Sequence, residues 1–127
     1  MTTTLRTIRR TIRAALTAGR ALGYRTLSGR IAADVAAGRL IRTGDYLDHV
    51  GGQDLPDGQR AWFGRHAKKA HIAATGRAPL MVWAQHRTTG RWIHVACYAP
   101  TDPALATGLA AYKGTRHLLA ASYSEAA

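Results

Sequence analysis

Cationic and imidazole side chains are concentrated in two stretches of the sequence that contain no carboxylate. Residues 1–33 carry seven Arg, and residues 58–101 carry seven Arg or Lys, four His and all three Trp. Guanidinium and ammonium groups bind phosphate oxygens, and arginine also pairs with the edge of guanine through two hydrogen bonds. The segregated charge therefore predicts a polyanionic partner, most often a nucleic acid. The competing explanation is a solvated basic surface with no partner.

Eleven of these cations are the candidate nucleic-acid contacts. They are Arg6, Arg9, Arg10 and Arg13 in the first stretch, and Arg60, Arg65, Lys68, Lys69, Arg77, Arg87 and Arg91 in the second. Between the two stretches, residues 34–57 hold five Asp against two Arg. We expect this acidic segment to face away from a polyanion, because like charges repel.

A small ribonuclease is an alternative that the residue types allow. His94 and Tyr98 lie on one face of a predicted strand, with Arg91 close in sequence, and such groups can perform general acid–base chemistry on RNA. This stretch of the chain contains no pair of carboxylates. The single predicted hairpin is also too small a sheet to form a concave catalytic surface. We therefore expect a protein that is not an enzyme and has no catalytic residues.

The histidines and the single cysteine do not form a metal-binding pattern. No two of the six His are four residues apart, and Cys97 has no second cysteine with which to make a zinc motif or an internal disulfide. We expect neither a metal nor a cofactor. The lone thiol indicates a reducing compartment, the cytoplasm, and no apolar run approaches the roughly 20 residues of a membrane span.

Two helices are predicted before residue 39. Apolar residues spaced three and four apart predict an amphipathic helix over 4–18, with Gly19 and Gly23 as stop signals. A second helix is predicted over 27–37, with Thr26 as its N-cap and Gly38 after its C-terminus.

Residues 39–57 predict a short strand at Leu40 and Ile41, one helical turn at residues 46–50, and a loop. A basic helix is predicted over 59–75, with Phe63 and Ala67 in its apolar stripe. A β-hairpin follows over about 80–98, its turn formed by Thr88, Thr89 and Gly90. Asp102 and Pro103 are typical of a helix start, Gly114 of its end, and an apolar tail from Leu118 to Tyr123 either forms a helix or docks in extended form.

The order of these elements predicts an α+β fold that is mainly helical and resembles a winged helix-turn-helix. In such a domain the third helix enters the major groove and the hairpin contacts the flanking backbone. Arg65, Lys68 and Lys69 would then lie on the groove-facing side of the helix. The single domain, residues 1–127, divides into a helical N-terminal region (1–38), an acidic connection (39–57), a basic helix-hairpin-helix region (58–113) and a tail (114–127). The connection is longer than the three or four residues of a standard helix-turn-helix.

One region of the chain resembles a recurrent segment of phage and mobile-element DNA-binding proteins. The segment comprises residues 63–70 (FGRHAKKA), 75–79 (TGRAP), 91–98 (RWIHVACY) and 101–103 (TDP). Over about 58–113 the chain is similar to the C-terminal domains of antirepressor-type phage proteins. It departs from their pattern at His71, where those proteins tend to have a Tyr-Arg pair one position earlier. The resemblance implies DNA binding without defining a target.

The sequence therefore predicts a non-enzymatic DNA-binding protein of a bacterial mobile element or phage. A transcriptional regulator and a replication or partition accessory factor fit equally well. Duplex DNA is favoured over RNA, and a homodimer is compatible with the sequence. A protein-binding inhibitor or adaptor of the phage type is the other alternative. Trp62, Trp83 and Trp92 are expected to pack in the core or to hold the hairpin on the helices, although exposed tryptophans also stack on unpaired bases.

Overall fold

In the computed structural model, the fold is mainly helical and contains one antiparallel sheet. The structure describes residues 2–119, except the side chains of residues 2, 3 and 25. Its elements are α1 Thr2–Ala36, β1 Ile41–Arg42, α2 Thr43–His49, α3 Asp57–Thr75, β2 Leu80–Gln85, β3 Trp92–Tyr98, α4 Pro103–Ala111 and a 3-10 turn Arg116–Leu118. The predicted α+β class is confirmed. The predicted tail beyond residue 119 lies outside the described residues.

Helix α1 consists of two helical segments that meet at Gly29, so the break between the two helices predicted before residue 39 lies there and not at residues 19–26. Gly19 and Gly23 lie inside it with no effect on its course, because a glycine ends a helix only where the backbone turns to positive φ. Thr26 is not an N-cap, and its hydroxyl instead donates to the carbonyl of Leu22 one turn earlier. The helix is interrupted only by a kink at Gly29, whose φ of 53° and ψ of −127° are not helical.

The C-terminal end of α1 agrees with its predicted position. Gly38 has a φ of 79°, in the left-handed region that glycine adopts without steric cost. The amide of Gly38 donates to the carbonyl of Val35, and the amide of Arg39 donates to that of Asp34. This pair of bonds is the Schellman motif, which satisfies carbonyls that the helix itself leaves unpaired.

The acidic connection contains the helix that precedes α3. Residues 41–42 form β1, which pairs with β3, and residues 43–49 form α2. The predicted short strand and helical turn are therefore confirmed. The helix that directly precedes the basic helix α3 is thus α2, and not the helix predicted over 27–37. Residues 50–56 form the turn between α2 and α3.

The hairpin agrees with its predicted position. Strands β2 and β3 pair in antiparallel register from Leu80 opposite Cys97 to Gln85 opposite Trp92, and β1 adds a third strand on the other side of β3. Gly90 has a φ of 70°, as its place in the turn requires. The edge strand β2 lies against the C-terminal half of α1, where the hydroxyl of Ser28 accepts a hydrogen bond from the amide of Trp83.

Two tryptophans hold α1 on the hairpin, as predicted. The ring of Tyr24 in α1 stacks on Trp92, with centroids 4.7 Å apart, and tilts against Trp83 at 5.0 Å. The ring of His94 also belongs to this cluster and stacks on Trp83, with centroids 4.7 Å apart. The third tryptophan, Trp62, lies exposed on α3 and does not belong to this cluster.

The main core lies between α2, α3 and α4. Its fully buried members include Leu47 of α2, Phe63 and Ala67 of α3, and Leu105 and Leu109 of α4. Helices α3 and α4 are also fastened at one end, where Nδ1 of His71 lies 2.8 Å from a carboxylate oxygen of Asp102. Asp102 caps α4 by accepting from the amide of Ala104, with Pro103 next to it, so the predicted helix start is confirmed.

The close approach of α3 and α4 depends on Gly108. A β-carbon at this position would lie 3.0 Å from the backbone of Ala67. Because helix backbone cannot yield as a side-chain tip can, we expect Gly108→Ala to lower the free energy of unfolding by about 1–3 kcal/mol. Gly58→Ala is the matched control, since nothing lies within 4 Å of its β-carbon position. Urea denaturation would contradict the packing described here if the two variants had equal midpoints.

Candidate nucleic-acid interface

One side of α3 faces the core and the opposite side faces solvent. Phe63 and Ala67 are fully buried, whereas Arg65, Lys68 and Lys69 are exposed. Within residues 2–119, no carboxylate lies within ion-pair distance of these three cations. The acidic connection packs on the other side of α3 and leaves this face uncovered. The structure thus brings three of the predicted contacts together on one accessible helix face.

Aromatic rings extend this cationic face. Trp62 is 51% exposed, and the guanidinium carbon of Arg65 lies 4.7 Å from the centre of its ring, which is a cation–π contact. His66 stacks on Tyr112 at 5.5 Å, and Trp62 lies 6.5 Å from the same tyrosine. We call Trp62, Arg65, His66, Lys68, Lys69 and Tyr112 the α3 face. Sequence reasoning missed Tyr112, because only the packing of α4 on α3 brings it here.

Arg60 is on α3 but does not belong to the α3 face. Its side chain is only 10% exposed and lies 2.9 Å from a carboxylate oxygen of Asp48. It also donates to the carbonyls of Gly44 at 2.8 Å and Gly52 at 3.1 Å. All three acceptors belong to α2 or to the turn that follows it. The guanidinium therefore fastens α2 to α3, and we assign it a structural role.

Arg87 at the hairpin tip is also engaged within the protein. Its guanidinium lies 2.9 Å from the carboxylate of Asp57, which also accepts a hydrogen bond from the hydroxyl of Thr88. The Thr88 hydroxyl and then Arg87 lower the pKa of Asp57 below its usual value of 3.8. Because the folded pKa is lowered, these contacts stabilise the fold above about pH 3.8 and are lost as the pH falls through the folded value. The hairpin tip is thus tied to the first turn of α3.

The acidic segment is largely neutralised by arginines. Asp34 pairs with Arg39 and Asp45 with Arg42, each at 2.8 Å, in addition to the pairs of Asp48 and Asp57. Asp45, Asp48 and Asp57 line a cleft of about 350 Å³ together with Arg42, Arg60 and Arg87. Because the carboxylates and guanidinium groups of this cleft pair with one another, the cleft has little net positive charge with which to bind an anion.

The remaining predicted contacts are exposed and lie apart from the α3 face in the chain. Arg77 follows the end of α3, Arg91 follows the turn of the hairpin, and the other four lie on the N-terminal half of α1. These four are Arg6, Arg9, Arg10 and Arg13. Helix α1 packs on β2, whereas α3 packs on α4, so the two cationic helices have different neighbours.

The residues considered for ribonuclease chemistry are not assembled for it. Tyr98 is 1% exposed, its hydroxyl has no hydrogen-bond partner, and burial raises its pKa to about 12. His94 is exposed and stacks on Trp83. A phenol sealed in the core cannot exchange a proton with RNA in solvent, so these two groups cannot act together.

The single thiol is likewise enclosed. Cys97 is buried on β3, and burial raises the pKa of its thiol to about 11. The thiol therefore stays protonated at neutral pH and is a poor nucleophile.

Two further observations concern residues 2–119 only. In this range, no three His, Cys, Asp or Glu side chains lie close enough to hold a metal ion together. None of its helices combines the length and the apolar character needed to cross a membrane.

Relatives do not decide what the α3 face binds. No protein-family model, no curated protein and no solved structure matches the chain.

Proposed function

We propose that this chain is a non-enzymatic duplex-DNA-binding protein that uses the α3 face to enter the major groove. The observation that supports this most is the exposure of Arg65, Lys68 and Lys69 on one side of a 19-residue helix. An α-helix fits the major groove of B-DNA, where arginine and lysine contact guanine edges and phosphates. The cellular setting that we propose is the cytoplasm, and the role is that of a regulator or a replication or partition factor of a mobile element.

The order of elements supports the same proposal. A helix, a short strand, two helices and a hairpin follow one another, which is the order of a winged helix-turn-helix. In this arrangement α2 and α3 form the helix pair, and the hairpin β2–β3 is the wing. The pair of Arg87 with Asp57 holds the wing tip beside the first turn of α3. Arg91, which is exposed near the same tip, is available to contact a phosphate of the flanking backbone.

Binding would proceed in two stages. The net charge of +11 attracts the duplex at long range, and this attraction is independent of DNA sequence. The α3 face then docks, with Lys68 and Lys69 on phosphates and Arg65 near the base edges. The ring of Trp62 restrains the Arg65 guanidinium before DNA arrives, which reduces the entropy lost on binding.

A salt titration with three probes tests this function. We expect the affinity for a duplex of about 20 base pairs to fall by roughly 10³-fold between 50 and 200 mM salt if six phosphates are contacted. Single-stranded DNA and RNA of the same length should bind more weakly at every salt concentration. Fluorescence anisotropy measures all three affinities. Tighter binding of single strands or RNA would contradict the duplex proposal.

A protein-binding adaptor is the second candidate, and one observation favours it. The α3 helix exposes the large apolar surfaces of Trp62 and Ile72 among its cations. Tryptophan and arginine are enriched at the centres of protein interfaces, so an acidic protein is a chemically reasonable partner. The same titration separates the two functions, because an adaptor would bind none of the three nucleic acids at physiological salt.

A further inference from the structure

Helix α1 exposes a stripe of large aliphatic side chains. The stripe comprises Leu5, Ile8, Ile12, Leu16, Leu22 and Leu27, each of them between 49% and 73% exposed. Scattered exposed aliphatic residues are normal on a protein surface, but a continuous stripe along one helix indicates an interaction surface. Its spacing shows what kind of surface it is.

Four of these six residues, Leu5, Ile8, Ile12 and Leu22, follow a heptad repeat, and Leu16 and Leu27 lie beside it. Residues 5, 8, 12, 15, 19 and 22 are alternately three and four apart, and they are Leu, Ile, Ile, Ala, Gly and Leu. We call these six positions the α1 seam. They span three heptads, or about 26 Å at roughly 1.5 Å per residue.

The seam faces away from the rest of the protein. Tyr24 and Ser28 contact the hairpin, and Ala21 on the same side of the helix is partly buried. At about 100° per residue, they lie roughly 180° around the helix from the α1 seam. This explains why Leu22 remains 67% exposed although the neighbouring Ala21 is partly buried. A second helix can therefore lie along the whole seam without meeting the protein's own sheet.

We propose that the α1 seam pairs with the α1 seam of a second copy of this chain, in antiparallel orientation. The alignment that places Ile12 opposite Ala15 of the second copy also places Ile8 opposite Gly19 and Leu5 opposite Leu22. In the four inner layers a large side chain meets a small one, which lets the helices pack closely without voids. A parallel alignment would instead place Ala15 on Ala15 and Gly19 on Gly19, leaving gaps.

The charges on α1 lie outside the seam and favour the antiparallel orientation. Residues 1–33 contain no carboxylate, Arg6 and Arg10 lie on the side of the helix opposite the seam, and Arg9, Arg13 and Arg20 lie on its flank. The seam itself carries no charge, so two copies can meet without burying an arginine. Antiparallel pairing also moves the centre of the cluster of Arg6, Arg9, Arg10 and Arg13 in one copy about 12 Å along the axis from the centre of the same cluster in the other, at roughly 1.5 Å per residue. A parallel alignment would instead place the two clusters side by side.

The oligomeric state tests this pairing. Sedimentation equilibrium of the full chain between roughly 1 and 100 µM should show a dimer, and Ile12→Glu should raise the dimer dissociation constant at least about a hundredfold. Thr17→Glu is the matched control, because it adds the same charge to the same helix on the side away from the seam. It should leave the dimer intact. Leu22→Glu is a second seam variant, and circular dichroism confirms that each variant is folded.

Three results would overturn the proposal. The first is a wild-type chain that stays monomeric throughout this range, and the second is equal dissociation constants for Ile12→Glu and Thr17→Glu. The third is a monomer that binds phosphatidylserine vesicles through the seam, because the stripe would then be a membrane surface. The pairing concerns α1 and the proposed DNA contact concerns α3, so each can fail without the other.

Disulfide trapping tests the orientation. When Ile12→Cys and Ala15→Cys chains are mixed and oxidised, antiparallel pairing predicts mainly the mixed disulfide, because residues 12 and 15 face each other. The native Cys97 is buried and does not compete. Disulfides mainly between two Ile12→Cys chains would show a parallel pair and contradict the alignment.

Discussion

Replacing Arg65, Lys68 and Lys69 together with alanine is expected to lower the affinity for duplex DNA at least about a hundredfold at moderate salt. Each base or phosphate contact of this kind contributes on the order of 1 kcal/mol or more, and tenfold in affinity corresponds to about 1.4 kcal/mol. The slope of log affinity against log salt should also fall by about 1.8, because Lys68 and Lys69 contact phosphates. The three side chains are exposed, so the fold should be unaffected.

The matched comparison removes three charges from the other cationic helix. Arg6, Arg10 and Arg13 are exposed on α1, and replacing them with alanine lowers the net charge by the same amount. If α3 is the groove helix, this second variant should lose much less affinity, because only the long-range attraction is weakened. Equal losses in the two variants would mean that total charge, not the α3 face, determines binding.

The second large effect is expected at Arg60. Its side chain joins the carboxylate of Asp48 and the carbonyls of Gly44 and Gly52 to α3, and it is 10% exposed. We expect Arg60→Ala to lower the free energy of unfolding by about 2–3 kcal/mol, since three acceptors lose a charged donor. The loss is smaller than for a fully buried ion pair, because Asp48 is 46% exposed and water can solvate it.

Arg39→Ala is the control for this prediction. Arg39 also pairs with an aspartate at 2.8 Å, but its side chain is 66% exposed, and such pairs contribute roughly 0–1 kcal/mol. Urea denaturation of the two variants should therefore differ clearly in midpoint. The structural role of Arg60 would be refuted if its variant were as stable as Arg39→Ala but had lost DNA affinity, because Arg60 would then be a DNA contact.

Local sequence signals predicted most of the helix and strand positions. The Asp102–Pro103 start of α4, the left-handed Gly38 and Gly90, and the pairing of β2 with β3 all depend on residues close together in the chain. The stop signals at Gly19 and Gly23 failed because a glycine is compatible with both a helix interior and a helix end. The part of α1 that follows these glycines packs on β2. This contact joins residues that are distant in sequence, so local signals could not show that the helix continues.

The cationic site was predicted only in part, and the reason lies in the pairing of charges. The sequence shows that Arg60, Arg65 and Arg87 are basic. It does not show that Asp48 pairs with Arg60 or that Asp57 pairs with Arg87. These pairs join residues 12 and 30 positions apart, so no periodic pattern reveals them. The same holds for Tyr112, which meets His66 only because α4 packs on α3.

Lysine footprinting tests the central claim most directly, because the chain has only three lysines. Lys68 and Lys69 belong to the α3 face, and Lys113 lies after the end of α4. Acetylation of the protein with and without a saturating DNA duplex, followed by mass spectrometry, reports the protection of each lysine. We predict that Lys68 and Lys69 become protected in the complex. A stable DNA complex in which both remain as reactive as in the free protein would contradict the assignment of α3 as the helix that binds DNA.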